Sequence, residues 1–134
     1  MIIGIGTDIV QISRIAATLT RTEDRFAQKI LGADELREYQ QRQQNNSIRG
    51  LHYLCNRFAA KEAFSKALGS GMRAPMAWHS IQILNDEQGA PKVVTSGALA
   101  EYMRDKKLKP NVSLSDEEDY SVAFVLIEQI TLVE

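Results

Sequence analysis

A chain of 134 residues has the length of one ordinary domain, and 44% hydrophobic with 25% charged residues is enough for a soluble core without disulfide or metal staples. Sixteen Lys and Arg against seventeen Asp and Glu leave a net charge of -1, which removes the basic field on which non-specific nucleic-acid binding relies. The one cysteine, Cys55, excludes an internal disulfide, and His52 and His79 stand in no zinc-ligand pattern. The start MIIGIGTDIVQ has no basic leader and is interrupted by Asp8, so a cytoplasmic protein with neither a membrane nor a nucleic-acid partner is expected.

In chain order, the β-branched run Met1 to Val10 predicts a buried strand ending near Asp8 to Ile12. Ser13 to Leu31 has the apolar spacing of short helices divided near Thr20 to Glu23. Gly32 marks a turn, and ADELREYQQRQQ, Ala33 to Gln44, is a helix whose Gln-rich end is exposed. Asn45, Asn46 and Ser47 then open the central element. Ile48 to Leu68 contains no proline and reads as a helix of about twenty residues stopped by Gly69-Ser70-Gly71. Ser80 to Asn85 and Lys92 to Thr95 predict a hairpin, and Ser96 to Lys107 a further helix. Pro110 is expected to precede a strand at Val112 to Ser115, and Tyr120 to Ile130 is a last strand whose continuous apolar run implies burial on both faces, one of them by another subunit. Strands and helices without βαβ alternation predict one α+β domain over residues 1–134, a mainly antiparallel sheet packed with a long central helix.

Gly4 and Gly6 do not make a dinucleotide fingerprint, because GxGxxG would need a small residue where Ile9 stands. Asp8 ends an apolar strand and admits two readings, a helix N-cap or a carboxylate facing a cation. On the central helix Leu51, Cys55, Phe58, Glu62, Ser65 and Gly69 fall on one stripe, so Glu62 puts a charge in line with packing residues. Glu62 could instead form an i,i+4 surface pair with Lys66. Asp8 and Glu62 together with Lys61, Lys66, Ser65 and the GSG loop suit Mg2+, which takes one or two protein carboxylates and completes its shell with water and phosphate oxygens. Diphosphate chemistry is the expectation.

At these residues the chain resembles the 4′-phosphopantetheinyl transferases of the holo-[acyl-carrier-protein] synthase type. The resemblance rests on GIGTDIVQISRI at Gly4 to Ile15 and RFAAKEAFSKALGSG at Arg57 to Gly71, with a weaker match in VSLSDEEDYSVAFVLIE at Val112 to Glu128. It implies the corresponding fold, with Asp8 and Glu62 as Mg2+ ligands and Glu62 and Lys61 as catalytic residues. It further implies that Lys61, Ser65, Lys66, Gly69 and Gly71 contact coenzyme A, the substrate. The implied reaction moves 4′-phosphopantetheine from coenzyme A to a serine of an apo acyl carrier protein of fatty-acid synthesis, releasing adenosine 3′,5′-bisphosphate.

The resemblance also implies a homotrimer with active sites between subunits. Carrier proteins are acidic, and Arg14, Arg21 and Arg25 are expected to face the carrier, sharing one side with Thr18 if helix runs through that stretch. Two positions depart from the family pattern. Asp116 stands where many members have His, and Gly89-Ala90-Pro91 lacks the lysine of the usual GKP, so nucleotide contacts from those two side chains do not carry over.

Overall fold

A computed structural model of the chain describes residues 1–131, and residues 132–134 of the expected single domain lie outside the described residues. Three strands, β1 (Ile2–Gln11), β4 (Leu108–Asp116) and β5 (Tyr120–Gln129), form an antiparallel sheet in the order β1-β5-β4. The hairpin of β2 (Ile81–Asn85) and β3 (Pro91–Thr95) is a separate two-stranded sheet turned at Asp86 to Gly89. Five helices accompany them among the described residues: α1 (Ile12–Thr22), α2 (Asp24–Ile30), α3 (Ala33–Asn45), α4 (Ser47–Leu68) and α5 (Gly97–Asp105).

The 22 residues of α4 form the axis of the molecule. The side chain of Asn46 accepts from the backbone N–H of Ile48 and Arg49 at 3.0 and 3.2 Å, which caps the start. Gly69, at φ 83°, ends the helix in the left-handed conformation open to glycine. Between the ends, Leu54, Cys55, Ala59, Ala60, Ala63 and Phe64 are fully buried, because α4 packs across β1 and β5 on one side and α3 on the other. A helix buried so nearly all round needs small residues where neighbours come closest, and the alanines supply them.

The first strand inverts the expectation of a buried apolar segment. Its glycines face the core and its isoleucines face outward, with Ile5 60% and Ile9 64% exposed. A Cβ on Gly4 would stand 1.9 Å from the carbonyl oxygen of Ala67, and one on Gly6 2.0 Å from that of Ala63. Only a strand without side chains at these points can lie on α4. The GIG sequence is thus a packing device that brings Asp8, two residues on, beside the second half of the helix.

Within this single chain the last strand buries one face, and the other, the one expected to meet another subunit, points outward. Ser121, Ala123, Val125 and Ile127 point into the core, whereas Tyr120, Val122 and Phe124 are exposed. Register pairs Ile5 with Leu126, Thr7 with Phe124 and Ile9 with Val122, so the outward face is an apolar surface shared by two strands. The fourth strand is longer than expected and includes Pro110, which pairs with Ile127. A proline is tolerated there because β4 is an edge strand. No helix among the described residues is long and apolar enough to cross a membrane.

Candidate active site

The carboxylates of Asp8 and Glu62 lie on the floor of a cleft of about 600 Å3 between the end of β1, α1 and the middle of α4. Asp8 is not a helix cap, since the residue before α1 is Gln11 and its side chain caps nothing. Its side chain, 16% exposed, is held by Lys66, whose Nζ donates to Asp8 Oδ1 at 3.1 Å and to the carbonyl of Thr7 at 2.9 Å. The alternative surface pair between Glu62 and Lys66 is therefore not made, because the lysine reaches across to the strand.

Burial first, and then the negative charge of Asp8, push the Glu62 carboxyl above the usual carboxylate range, while Lys66 opposes them. Two carboxylates lining one cleft with a lysine beside them form an oxygen site suited to a hard divalent cation. No group of three or more His, Cys, Asp or Glu side chains with metal-binding geometry occurs among the described residues. An ion bound at Asp8 and Glu62 would complete its shell with non-protein oxygens, as Mg2+ does beside phosphates.

Arg14 and Arg21 line the same cleft on its α1 side, with Thr18 between them. Arg25 does not share that helical face. The chain breaks at Glu23, at φ 56°, and Arg25 belongs to α2, where its Nε donates to the carbonyl of Thr22 at 3.3 Å. Phe26 and Phe58 form an apolar wall, their ring centroids 5.8 Å apart, and Phe58 stacks on Trp78 at 5.5 Å.

Lys61, expected at the phosphates, points away from this cleft. Its side chain is 0% exposed and its ammonium donates to Glu35 Oε1 at 2.6 Å, to the carbonyl of Ile30 at 2.6 Å and to that of Trp78 at 3.0 Å. All three donors are used within the fold. Burial pulls its pKa below the usual lysine range, against the opposing pull of Glu35. Successive residues on a helix are about 100° apart, so Glu62 and Lys61 cannot both face the cleft.

The GSG loop is also committed internally. The backbone N–H groups of Gly69 and Gly71 both donate to the carbonyl of Ser65, at 3.0 and 3.4 Å, so neither is directed at a phosphate. Ser65 is buried and its hydroxyl donates to the carbonyl of Glu62 at 2.7 Å. Of the expected coenzyme A contacts, Lys66 alone presents an exposed charge beside the two carboxylates.

Two groups were not expected from the sequence. Glu35 lies in a helix-forming polar run, yet it is fully buried and accepts from Gly32 N–H at 2.9 Å and Ile83 N–H at 2.8 Å besides Lys61. Its place three residues after Gly32, reaching back to that N–H, is the one signal the sequence carries for it. Asp116, in place of His, is occupied by Asn56, at 3.0 Å, and by the hydroxyl of Ser121. Asn56 in turn accepts from Arg57 at 2.8 Å, and Arg57 lies 4.1 Å over the Tyr53 ring.

Residues 4–125 match the model of the 4′-phosphopantetheinyl transferase superfamily. The holo-[acyl-carrier-protein] synthase of Herminiimonas arsenicoxydans is 55% identical over 129 residues, covering 96% of this chain and 99% of that one. That of Paraburkholderia phytofirmans is 55% identical over 127 residues, covering 95% and 91%. The holo-[acyl-carrier-protein] synthase structure from Neisseria meningitidis superposes with a TM-score of 0.88 at 40% identity, covering 96% of this chain and 99% of that one. The synthase from Bacillus anthracis in complex with CoA (3′,5′-ADP) does so with a TM-score of 0.81 at 32% identity, covering 97% and 99%. The chain belongs to the 4′-phosphopantetheinyl transferase superfamily, in its holo-[acyl-carrier-protein] synthase branch.

Proposed function

We propose that this protein transfers 4′-phosphopantetheine from coenzyme A to a serine hydroxyl of an apo acyl carrier protein in cytoplasmic fatty-acid synthesis, releasing adenosine 3′,5′-bisphosphate. The observation that carries the reading is the Asp8 and Glu62 carboxylate pair, with Lys66 bound to Asp8, on the floor of a cleft whose rim bears Arg14 and Arg21. The name and the coenzyme A complex of the B. anthracis relative support it.

In the reaction the serine oxygen forms a bond to the β-phosphorus of coenzyme A, and the bond from that phosphorus to the bridging oxygen breaks. The leaving group is the adenosine 3′,5′-bisphosphate oxyanion. Asp8 and Glu62 would hold Mg2+, which when bound supplies charge neutralisation and polarisation of the diphosphate. Lys66 adds a fixed positive charge beside the diphosphate. Of the two carboxylates Glu62 is the one not held by a lysine among the described residues, which leaves its oxygens open to accept the serine proton. Arg14 and Arg21, with Arg25 beyond the helix break, attract the acidic carrier and orient it over the cleft.

The outward apolar face of β1 and β5 supports assembly of the protein with copies of itself, as the homotrimer of the family requires. Incubation with coenzyme A, Mg2+ and apo acyl carrier protein is expected to release adenosine 3′,5′-bisphosphate in equal amount to holo carrier formed, read by chromatography. Binding of coenzyme A with no release in the presence of carrier would contradict the reading.

A further inference from the structure

Glu62 makes no side-chain hydrogen bond among the described residues, so no such bond competes with α4 in setting its direction. The rotation of α4 at this turn is in turn fixed by the neighbouring residue. Lys61 is bonded to the last residue of α2 through Ile30, to the first turn of α3 through Glu35, and to the short 3-10 turn Trp78–Ser80 through Trp78. Glu35 extends the set to β2 through Ile83 N–H and to its own helix start through Gly32 N–H. One ion pair thus ties together the segments that surround the middle of α4.

A buried ion pair is a poor way to gain stability, because apolar side chains of similar volume commonly serve as well or better. What it does provide is direction, since an ammonium with three acceptors on three elements has one acceptable orientation of its helix. We propose that the Lys61–Glu35 pair is a positioning device, which aims Glu62 at Asp8 and so sets the geometry of the two-carboxylate site. The inference rests on the reading of that pair as a divalent-cation site. Lys61 on this account touches neither substrate nor the ion and acts through the helix turn it anchors.

The test is the paired variant Lys61→Met with Glu35→Leu, which replaces the ion pair by apolar volume. Its thermal midpoint is expected to fall, because the carbonyls of Ile30 and Trp78 and the N–H groups of Gly32 and Ile83 lose their buried partners, so binding and turnover are compared at a temperature where both proteins are fully folded. Its affinity for Mn2+, measured from the electron paramagnetic resonance signal of the free ion, is expected to fall roughly tenfold or more, the range seen when groups that orient metal ligands are removed. In the transfer assay kcat should fall by a similar factor while the KM for carrier protein stays within about twofold, since Arg14 and Arg21 are untouched. A folded variant with Mn2+ affinity and kcat within about twofold of the unaltered protein overturns the proposal. So does a loss that follows stability alone and disappears on cooling. Should the paired variant not fold, Glu35→Gln keeps the volume and removes the charge, and must show the same separation of kcat from carrier KM. If the unaltered protein transfers nothing, the functional reading fails, and the Mn2+ comparison still decides the positioning role.

Discussion

Gly6 faces Ala63 so closely that a methyl group on the strand would stand 2.0 Å from the helix carbonyl oxygen. Backbone meets backbone here, so neither side can give way as a flexible side chain would. Asp8 follows two residues later on the same side of β1, within electrostatic reach of Glu62. The geometry of the site is consequently a property of strand-on-helix packing. Gly6→Ala is expected to destabilise the fold by about 1–3 kcal/mol or more, the usual cost of overpacking, measured by urea unfolding. It should also lower turnover in whatever fraction remains folded, since Asp8 must move with its strand.

Removing either carboxylate tests the chemistry without that packing change. Asp8→Ala and Glu62→Ala are each expected to fold and to lose on the order of 10²-fold in kcat, the scale of losing one preorganised electrostatic group. Near-normal turnover of both folded variants at limiting Mg2+ would remove the metal assignment.

Reversing the rim charges acts on the partner and not on the nucleotide. Arg14→Glu with Arg21→Glu is expected to raise the KM for carrier protein on the order of tenfold, more at low than at high salt, as for charges that steer association. Coenzyme A affinity, measured by calorimetry, should be unchanged. Equal loss of both would place these arginines elsewhere in the mechanism.

The outward sheet face carries a separate expectation. Phe124→Glu puts a charge in the middle of an apolar patch flanked by Val122 and the isoleucines of β1. Light scattering should find the unaltered protein as a trimer and this variant shifted to monomer. A monomer in both would leave the exposed isoleucines without an occupant.

Stability should decline in alkali. Burial, with Asp116 adding to it, pushes the Cys55 thiol from 9.0 up to about 12, and burial pushes the Tyr53 phenol from 10.0 up to about 12 in spite of Arg57. Between those limits the folded chain holds protons that the unfolded chain has lost, so stability falls as pH rises. The urea midpoint should drop between about pH 9 and about pH 12, and native Cys55 should resist thiol reagents until the chain unfolds. Labelling of native Cys55 at the rate of the unfolded chain would contradict its burial.

Much of this was legible from local sequence. The central helix shows in its unbroken span, its Asn46 cap and its Gly69 stop, and the hairpin in its alternation around Asp86 to Gly89, because these signals act over a few residues. Asp8 and Glu62 stood out because a charge on an apolar pattern requires a reason. Long-range facts did not show. Which face of β1 met the helix depended on the carbonyls of Ala63 and Ala67, so the isoleucines read as core. Lys61 reads as a phosphate-binding charge and Glu35 as one residue of a polar helix, because the partner that buries each lies 26 positions away. The register that lets Pro110 lie in a strand depends on β4 being at the sheet edge, which no local pattern states.

The most direct test is the intact mass of apo acyl carrier protein after incubation with coenzyme A and this protein, in Mg2+ and in excess EDTA, with Glu62→Ala alongside. The account predicts a gain of one phosphopantetheine mass in the Mg2+ sample of the unaltered protein, none in EDTA and only a slow trace with the variant. An equal gain in EDTA, or an equal rate with Glu62→Ala, would contradict the two-carboxylate site as the seat of the reaction.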